Sequence, residues 1–83
     1  MTNEEIWDKL NVLRGEAEYQ DFKHGRGAYE WELGVDVFGE IKDSSDCELV
    51  NYGKDTVKEL MGIPIRIDLA DNGKIKLWRE VSI

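Results

Sequence analysis

Residues 2–17, TNEEIWDKLNVLRGEA, carry the clearest structural pattern in the chain and predict an amphipathic helix. Thr2 and Glu5 have the spacing of a capping box, in which a hydroxyl and a carboxylate each accept a hydrogen bond from a first-turn amide. Four apolar residues then recur at the spacing of one helical face. They are Ile6, Leu10, Leu13 and Ala17. We expect the helix at about residues 3–22, weakened but not ended by Gly15.

A half-buried strand is predicted next. After the loop at residues 24–27, three apolar residues alternate with two acids, which is typical of a strand with one face in the core and one in water. The apolar residues are Tyr29, Trp31 and Leu33, and the acids are Glu30 and Glu32. We expect Trp31 in the core.

The middle of the chain predicts several short elements. Residues 35–44 favour a second helix, although the alternation of residues 28–33 also extends into them. A turn at residues 43–46 precedes a strand at residues 47–52. Thr56 and Glu59 repeat the capping-box spacing and predict one or two helical turns closed by Gly62, with a strand over residues 56–61 as the alternative.

The last twenty residues predict a β-hairpin. Isoleucines at alternate positions from Ile63 share one face, Asp71-Asn72-Gly73 suits a tight turn, and Ile75, Leu77 and Val81 line the returning strand. Pro64 predicts an edge strand or an irregular start, because proline donates no ladder hydrogen bond. The fold class is therefore α+β: one domain over residues 1–83, with an N-terminal amphipathic helix packed on a small antiparallel sheet that ends in a C-terminal β-hairpin.

Composition narrows the class of protein. The chain has 83 residues with 41% hydrophobic content, enough for one small core. Cys47 is the only cysteine, so neither an intrachain disulfide nor a thiolate zinc cage can form. A secreted domain of this size would usually carry several cysteines, so the single one predicts a reducing cytoplasm. We expect no membrane span and no signal peptide, because no apolar run of about 18 residues is present and the N-terminus is acidic.

Negative charge is concentrated in the first half of the sequence. Residues 1–46 hold twelve Asp and Glu against five Lys and Arg, a net charge of −7. Residues 47–83 hold six of each. This distribution of charge favours cationic partners. The sequence has no cluster of Lys and Arg, so we expect no direct binding of nucleic acid.

Acids from separate elements form the main candidate site. On a helix over residues 35–44, the spacing of Asp36, Glu40 and Asp43 puts them on one face. The strand supplies Glu30 and Glu32, and the first helix adds Glu4, Asp8 and Glu18 beside its apolar stripe. Together these acids would form one negative surface if the three elements meet in the fold. The alternative is an ordinary solvated surface that keeps the protein soluble.

Two tryptophans lie out of phase with the apolar faces. Trp78 points away from Ile75 and Leu77 on its strand, and Trp7 lies beside the apolar stripe of the first helix. Both are candidate interface anchors, since a rigid aromatic side chain supplies much contact area at low entropic cost. The alternative is that the helix covers Trp78 and both are core.

No catalytic, cofactor or metal motif is readable. His24 stands in a glycine loop without a positioned partner, so we expect a surface role. Cys47 lacks a basic neighbour and is expected to be a small buried apolar residue. We therefore predict no enzymatic activity, no cofactor and no metal. Glu30, Glu32 and His24 remain the residues of a less favoured enzyme or small-ligand hypothesis.

A segment near the end of the chain resembles hairpin segments in proteins of tailed bacteriophages. It comprises Leu60-Met61-Gly62-Ile63-Pro64-Ile65, the Asn72-Gly73 turn and Lys74-Ile75-Lys76-Leu77-Trp78. As a short acidic chain that opens with a capped helix, this protein also resembles small accessory proteins of tailed bacteriophages. The resemblance implies a mobile-element setting, in which small acidic proteins often inhibit host defence, including anti-CRISPR-like proteins that occupy a nucleic-acid-binding groove.

These observations predict a non-enzymatic interaction protein in the host-cell cytoplasm. It would bind a basic surface of a host protein and inhibit that protein sterically. For a CRISPR-type target, this basic surface would be the one that binds nucleic acid. The alternative is a small virion or assembly protein that forms homo-oligomers, such as a homodimer, through its hairpin edge and Trp78.

Overall fold

Two helices and five strands make up the part of the chain described by the computed structural model, residues 2–80. In chain order they are α1 (Asn3–His24), β1 (Ala28–Gly34), α2 (Val35–Ile41), β2 (Cys47–Tyr52), β3 (Asp55–Leu60), β4 (Ile63–Asp68) and β5 (Ile75–Glu80). The predicted α+β class, with the N-terminal helix packed on a small sheet, is confirmed.

The capping box of α1 is present as predicted. Thr2 Oγ1 accepts a hydrogen bond from the Glu5 amide, and Glu5 Oε1 accepts one from the Thr2 amide, both at 3.2 Å. The helix ends at His24, two residues later than expected, and Gly25 follows with φ at 84°, a left-handed value that favours glycine. The predicted apolar stripe faces the core, where Leu10 is fully buried.

The five strands form one sheet in the order β2-β3-β4-β1-β5. β1 pairs in parallel with β4, and the other three strand pairs are antiparallel. A parallel pair needs a crossover connection. Here the crossover consists of α2 and the β2–β3 hairpin.

The pairing of the predicted C-terminal hairpin is corrected. β4 and β5 occupy the expected positions on either side of the turn, but β1 lies between them in the sheet. Trp31 pairs with Ile65 on one side and with Leu77 on the other. The connection passes the end of β1, where the Gly34 amide donates to the Lys74 carbonyl at 2.9 Å. Val81 lies outside the described residues.

Two local predictions are also corrected. Residues 55–60 form β3 rather than helical turns, so the strand alternative is correct. Pairing with β2 on one side and β4 on the other supplies hydrogen bonds to backbone groups that an isolated helical turn would leave without partners. β4 is not an edge strand despite Pro64, which pairs with Glu59 near the start of β4. α2 ends at Ile41, before the predicted residue 44.

Both helices pack on the same face of the sheet. Trp31 and Leu33 of β1 are fully buried beneath the helices. They pack in one core with Val37 and Ile41, which α2 contributes from above. Trp31 therefore lies in the core, as predicted. Its indole Nε1 donates to the Leu60 carbonyl at 3.1 Å, so the polar atom is satisfied there. The opposite face of the sheet has no helix over it within residues 2–80.

Candidate interaction surfaces

The two helices carry most of the net charge. Residues 3–24 and 35–46, which include α1, α2 and the turn after α2, hold ten Asp and Glu against four Lys and Arg, a net charge of −6. The remaining residues hold eight acids against seven bases, a net charge of −1. We call the exposed surface of these two segments the helical side. The charge imbalance between the two halves of the sequence is therefore also an imbalance between the helices and the rest of the fold.

Nearly all carboxylates of the helical side lack an ionic partner within the described range. Nine of the ten are exposed. Among residues 2–80, only the half-buried Asp21 lies within ion-pair distance of a cation, with 3.9 Å between its Oδ1 and Arg79 Nε. Negative charge on this side is consequently directed to solvent.

Two predicted site residues lie at the C-terminal end of α2. Glu40 and Asp43 are both exposed there. Asn3 Nδ2 donates to the Glu40 carbonyl at 3.4 Å and so places the first turn of α1 beside this end of α2. The first turn of α1, which carries Glu4 and Glu5, therefore lies beside the end of α2 that carries Glu40.

Asp36, another predicted site residue, has a structural role. Both of its carboxylate oxygens accept the Gly73 amide at 2.9 Å, which fixes the start of α2 to the loop between β4 and β5. This hydrogen bond is the main reason that the pKa of Asp36 is lowered. A Cβ atom at Gly34 would lie only 2.5 Å from the Asp71 carbonyl oxygen, so glycine is required at this close approach.

The uncovered sheet face carries the other predicted acids, and they are paired. Arg66 Nε lies 3.4 Å from Glu30 Oε1, and Arg66 Nη2 lies 3.6 Å from Glu32 Oε2. Lys74 Nζ lies 3.2 Å from Glu32 Oε1. The indole Nε1 of Trp78 donates to Glu32 at 2.9 Å. That bond, followed by the one from Lys74, lowers the pKa of Glu32. This network neutralises Glu30 and Glu32 within the molecule.

The structure therefore divides the predicted site into two. Glu30, Glu32 and Trp78 lie on the uncovered sheet face, whereas Asp36, Glu40 and Asp43 lie with the helices on the opposite side of the sheet. The single negative surface that the spacing suggested does not form from all five acids. Trp78 is 46% exposed, so the helix does not cover it, while Trp7 is half-buried against the core.

α1 also carries a second, exposed stripe of apolar residues that the sequence analysis does not predict. Val12, Tyr19 and Phe22 are 61%, 60% and 91% exposed, and with Gly15 they have the helical spacing of 3, 4 and 3 residues. The stripe is on the side of α1 away from the core. The same rule that identified the buried stripe identifies this one, so the signal was readable.

A pocket of about 440 Å³ lies between α1 and β5. Gly15, Tyr19 and Leu77 are among its lining residues. At its polar end, Tyr29 donates to Asp21 at 2.7 Å and accepts from Arg79 Nε at 3.2 Å. The pKa of Tyr29 is raised, mainly by burial, and that of Asp21 is lowered, mainly by the Tyr29 hydroxyl.

The residues of the enzyme hypothesis are not gathered around this pocket. Glu30 and Glu32 belong to the uncovered sheet face, and His24 is exposed at the end of α1; none of the three lines the pocket. Cys47 is half-buried in β2, and burial raises the pKa of its thiol. Within residues 2–80, no group of three or more His, Cys, Asp or Glu side chains is arranged to hold a metal ion.

Neither helix of the described chain combines the length and apolar character needed to cross a membrane. Comparison of the sequence and fold with protein-family models, curated proteins and solved structures gives no match.

Proposed function

We propose that this chain is a non-enzymatic interaction protein whose helical side binds a basic surface of another protein and blocks it sterically. The observation that carries the proposal is the unequal treatment of charge in the fold. The helical side has a net charge of −6 and a single ion pair within residues 2–80, whereas the acids of the uncovered sheet face are paired.

Exposed charges without intramolecular partners suit an interface with a cationic protein. They speed the encounter with a positive surface and disfavour partners of like charge. Glu40 and Asp43 remain in the proposed contact surface, together with acids of α1 such as Asp8. Glu30, Glu32 and Trp78 are less suited to it, because they already bind one another or nearby cations.

The nature of the target is proposed from the sequence resemblance of residues 60–65 and 72–78 to segments of phage proteins, a resemblance of sequence only, since β4 and β5 do not pair with each other. In a mobile-element setting, the partner would be a host protein with a groove that binds nucleic acid, as for an anti-CRISPR-like inhibitor. An acidic surface of this kind would compete with phosphates for the Lys and Arg side chains of such a groove.

Two charge-reversal variants test the proposal. The first carries Asp8→Lys, Glu40→Lys and Asp43→Lys on the helical side. The matched control carries Glu48→Lys, Asp55→Lys and Asp71→Lys, which are exposed residues outside it. Both change the net charge equally. Immobilised wild-type and variant proteins are incubated with bacterial lysate at low salt, and retained proteins are identified by mass spectrometry.

We expect the wild type and the control variant to retain the same protein, which is released as salt is raised, and the helical-side variant to lose it. Inhibition of that protein's activity by the wild type would then be measured directly. Equal retention by both variants, or retention that does not change with salt, would overturn the proposal.

Self-assembly is a second candidate function. It is favoured by β5, which forms one edge of the sheet within residues 2–80, and by the half-exposed Trp78 on this strand. Sedimentation velocity over a range of concentrations tests it. A stable oligomer that is lost on Trp78→Ser would support assembly, and a monomer at all concentrations would exclude it.

A further inference from the structure

The exposed stripe of α1 has no packing role within the described fold. Val12, Tyr19 and Phe22 point away from the sheet, and the buried stripe of the same helix already supplies its contacts with the core. Single exposed apolar residues are common on protein surfaces, but several large ones along one helix face indicate an interaction site. Over residues 12–22 this set runs for about 15 Å along the helix.

The stripe adjoins the pocket between α1 and β5. Gly15 and Tyr19 belong to both. A Cβ atom at Gly15 would have nothing within 4 Å, so the absent side chain leaves open space beside the stripe rather than making room for a neighbour in the fold. A volume of about 440 Å³ is ample for a large apolar side chain of a partner, the usual anchor of a helix docked in a groove.

Charge beside the stripe selects among possible occupants. At about 100° per residue, Glu16 and Glu18 lie about 80° to either side of the stripe's centre, and Asp8 continues its line toward the N-terminus. Lys23 is the cation beside Phe22. Residues 3–24 have six acids against three bases, so a second copy of α1 or an anionic lipid surface would be repelled.

From these features we infer that α1 docks an amphipathic helix of another protein, with the apolar face of that helix on the stripe and its flanking Lys or Arg side chains on Glu16 and Glu18. One large side chain at the edge of the docked helix enters the pocket beside Gly15, where Glu16 also lines the rim and pairs with a neighbouring Lys or Arg of the same helix. The inference rests on the proposed function, since it names the element that a cationic partner would contact.

A defined peptide tests the docking. The probe is a synthetic helix of about three heptads with Leu at the a and d positions and Lys at e and g. A second peptide has the same composition in shuffled order, without an apolar face. Affinity is measured by isothermal titration calorimetry for the wild type, for the double variant Tyr19→Ser/Phe22→Ser, and for Leu69→Ser. Leu69 is a matched control because it is 80% exposed and lies in a loop outside α1.

The stripe variant should weaken binding of the amphipathic peptide at least about tenfold, a loss of about 1.4 kcal/mol, and Leu69→Ser should change it less than about twofold. Circular dichroism checks that each variant folds. Equal binding of the shuffled peptide, or an equal effect of both variants, would overturn the docking while leaving the charge-based function open to its own lysate test. Self-association of the wild type that depends on Phe22 would also overturn it, because the occupant would then be a second copy.

Discussion

The helical side and the uncovered sheet face both carry acids, but those of the helical side are mostly exposed and unpaired within residues 2–80, whereas Glu30 and Glu32 of the sheet face are half-buried and paired. Arg66 lies across from Glu32 on the neighbouring strand β4, and Lys74, just before β5, also reaches Glu32, so the side chains on this face are close enough to pair. On the helical side the acids outnumber the bases, and among residues 2–80 a single one reaches a cation. Charge on the sheet face is therefore tied into the fold, whereas on the helical side the carboxylates other than Asp21 and Asp36 are largely available to a partner.

This difference also separates residues by the property that their loss should change. A carboxylate tied to the fold affects stability when it is removed. One directed only to solvent affects partner binding. The same distinction applies to α1 itself, whose inner stripe holds the domain together and whose outer stripe does not.

The largest expected effect contrasts the two stripes of α1. Leu10→Ala should lower the free energy of unfolding by about 2–5 kcal/mol, because it leaves a cavity beneath the helix at a fully buried position. Val12→Ala, on the outer stripe, should change it by less than about 0.5 kcal/mol. Urea denaturation followed by tryptophan fluorescence measures both. Similar losses from the two substitutions would contradict the assignment of the outer stripe to solvent.

A second prediction concerns pH. Hydrogen bonds lower the pKa values of Glu32 and Asp68 on the sheet face, and of Asp21 and Asp36 on the helices. These carboxyls release their protons at a lower pH in the folded chain than in the unfolded chain. Their contribution to stability is thus complete above the unfolded values near about 4 and is lost as the pH falls through the folded ones.

Thermal unfolding at a series of pH values checks this sign. The unfolding midpoint should fall as the pH is lowered from about 6 to about 3. A midpoint that is constant or rises over this range would show that these hydrogen bonds do not favour the charged carboxylates.

The smallest expected effect compares single acids from the two surfaces. Glu32→Gln should reduce stability, because it removes the charge that binds both Lys74 and Arg66. Glu40→Gln should leave stability unchanged, since no cation within residues 2–80 pairs with Glu40. Thermal melts at low salt measure the two variants side by side. If Glu40→Gln proved the more destabilising, the comparison between the surfaces would be wrong.

Local patterns predicted most elements correctly but not every pairing. The capping box and apolar spacing placed α1, and alternation placed β1 with Trp31 in the core. The structure of residues 55–60 was difficult to predict, because Thr56 and Glu59 have the spacing of a helix cap. Pairing with β2 and β4 makes this segment a strand instead. The outer stripe of α1 followed the rule used for the inner one and was overlooked.

By itself, the sequence determined the α+β class, the buried stripe of α1, the alternation of β1 and the excess of acid in the first half of the chain, because each depends on spacing or composition over a few neighbouring residues. Only the tertiary structure decided that β1 enters between β4 and β5, and that Glu30 and Glu32 lie opposite the helices beside Arg66 and Lys74. Strand order depends on contacts between residues far apart in sequence, and no local pattern encodes which strand a given strand will pair with.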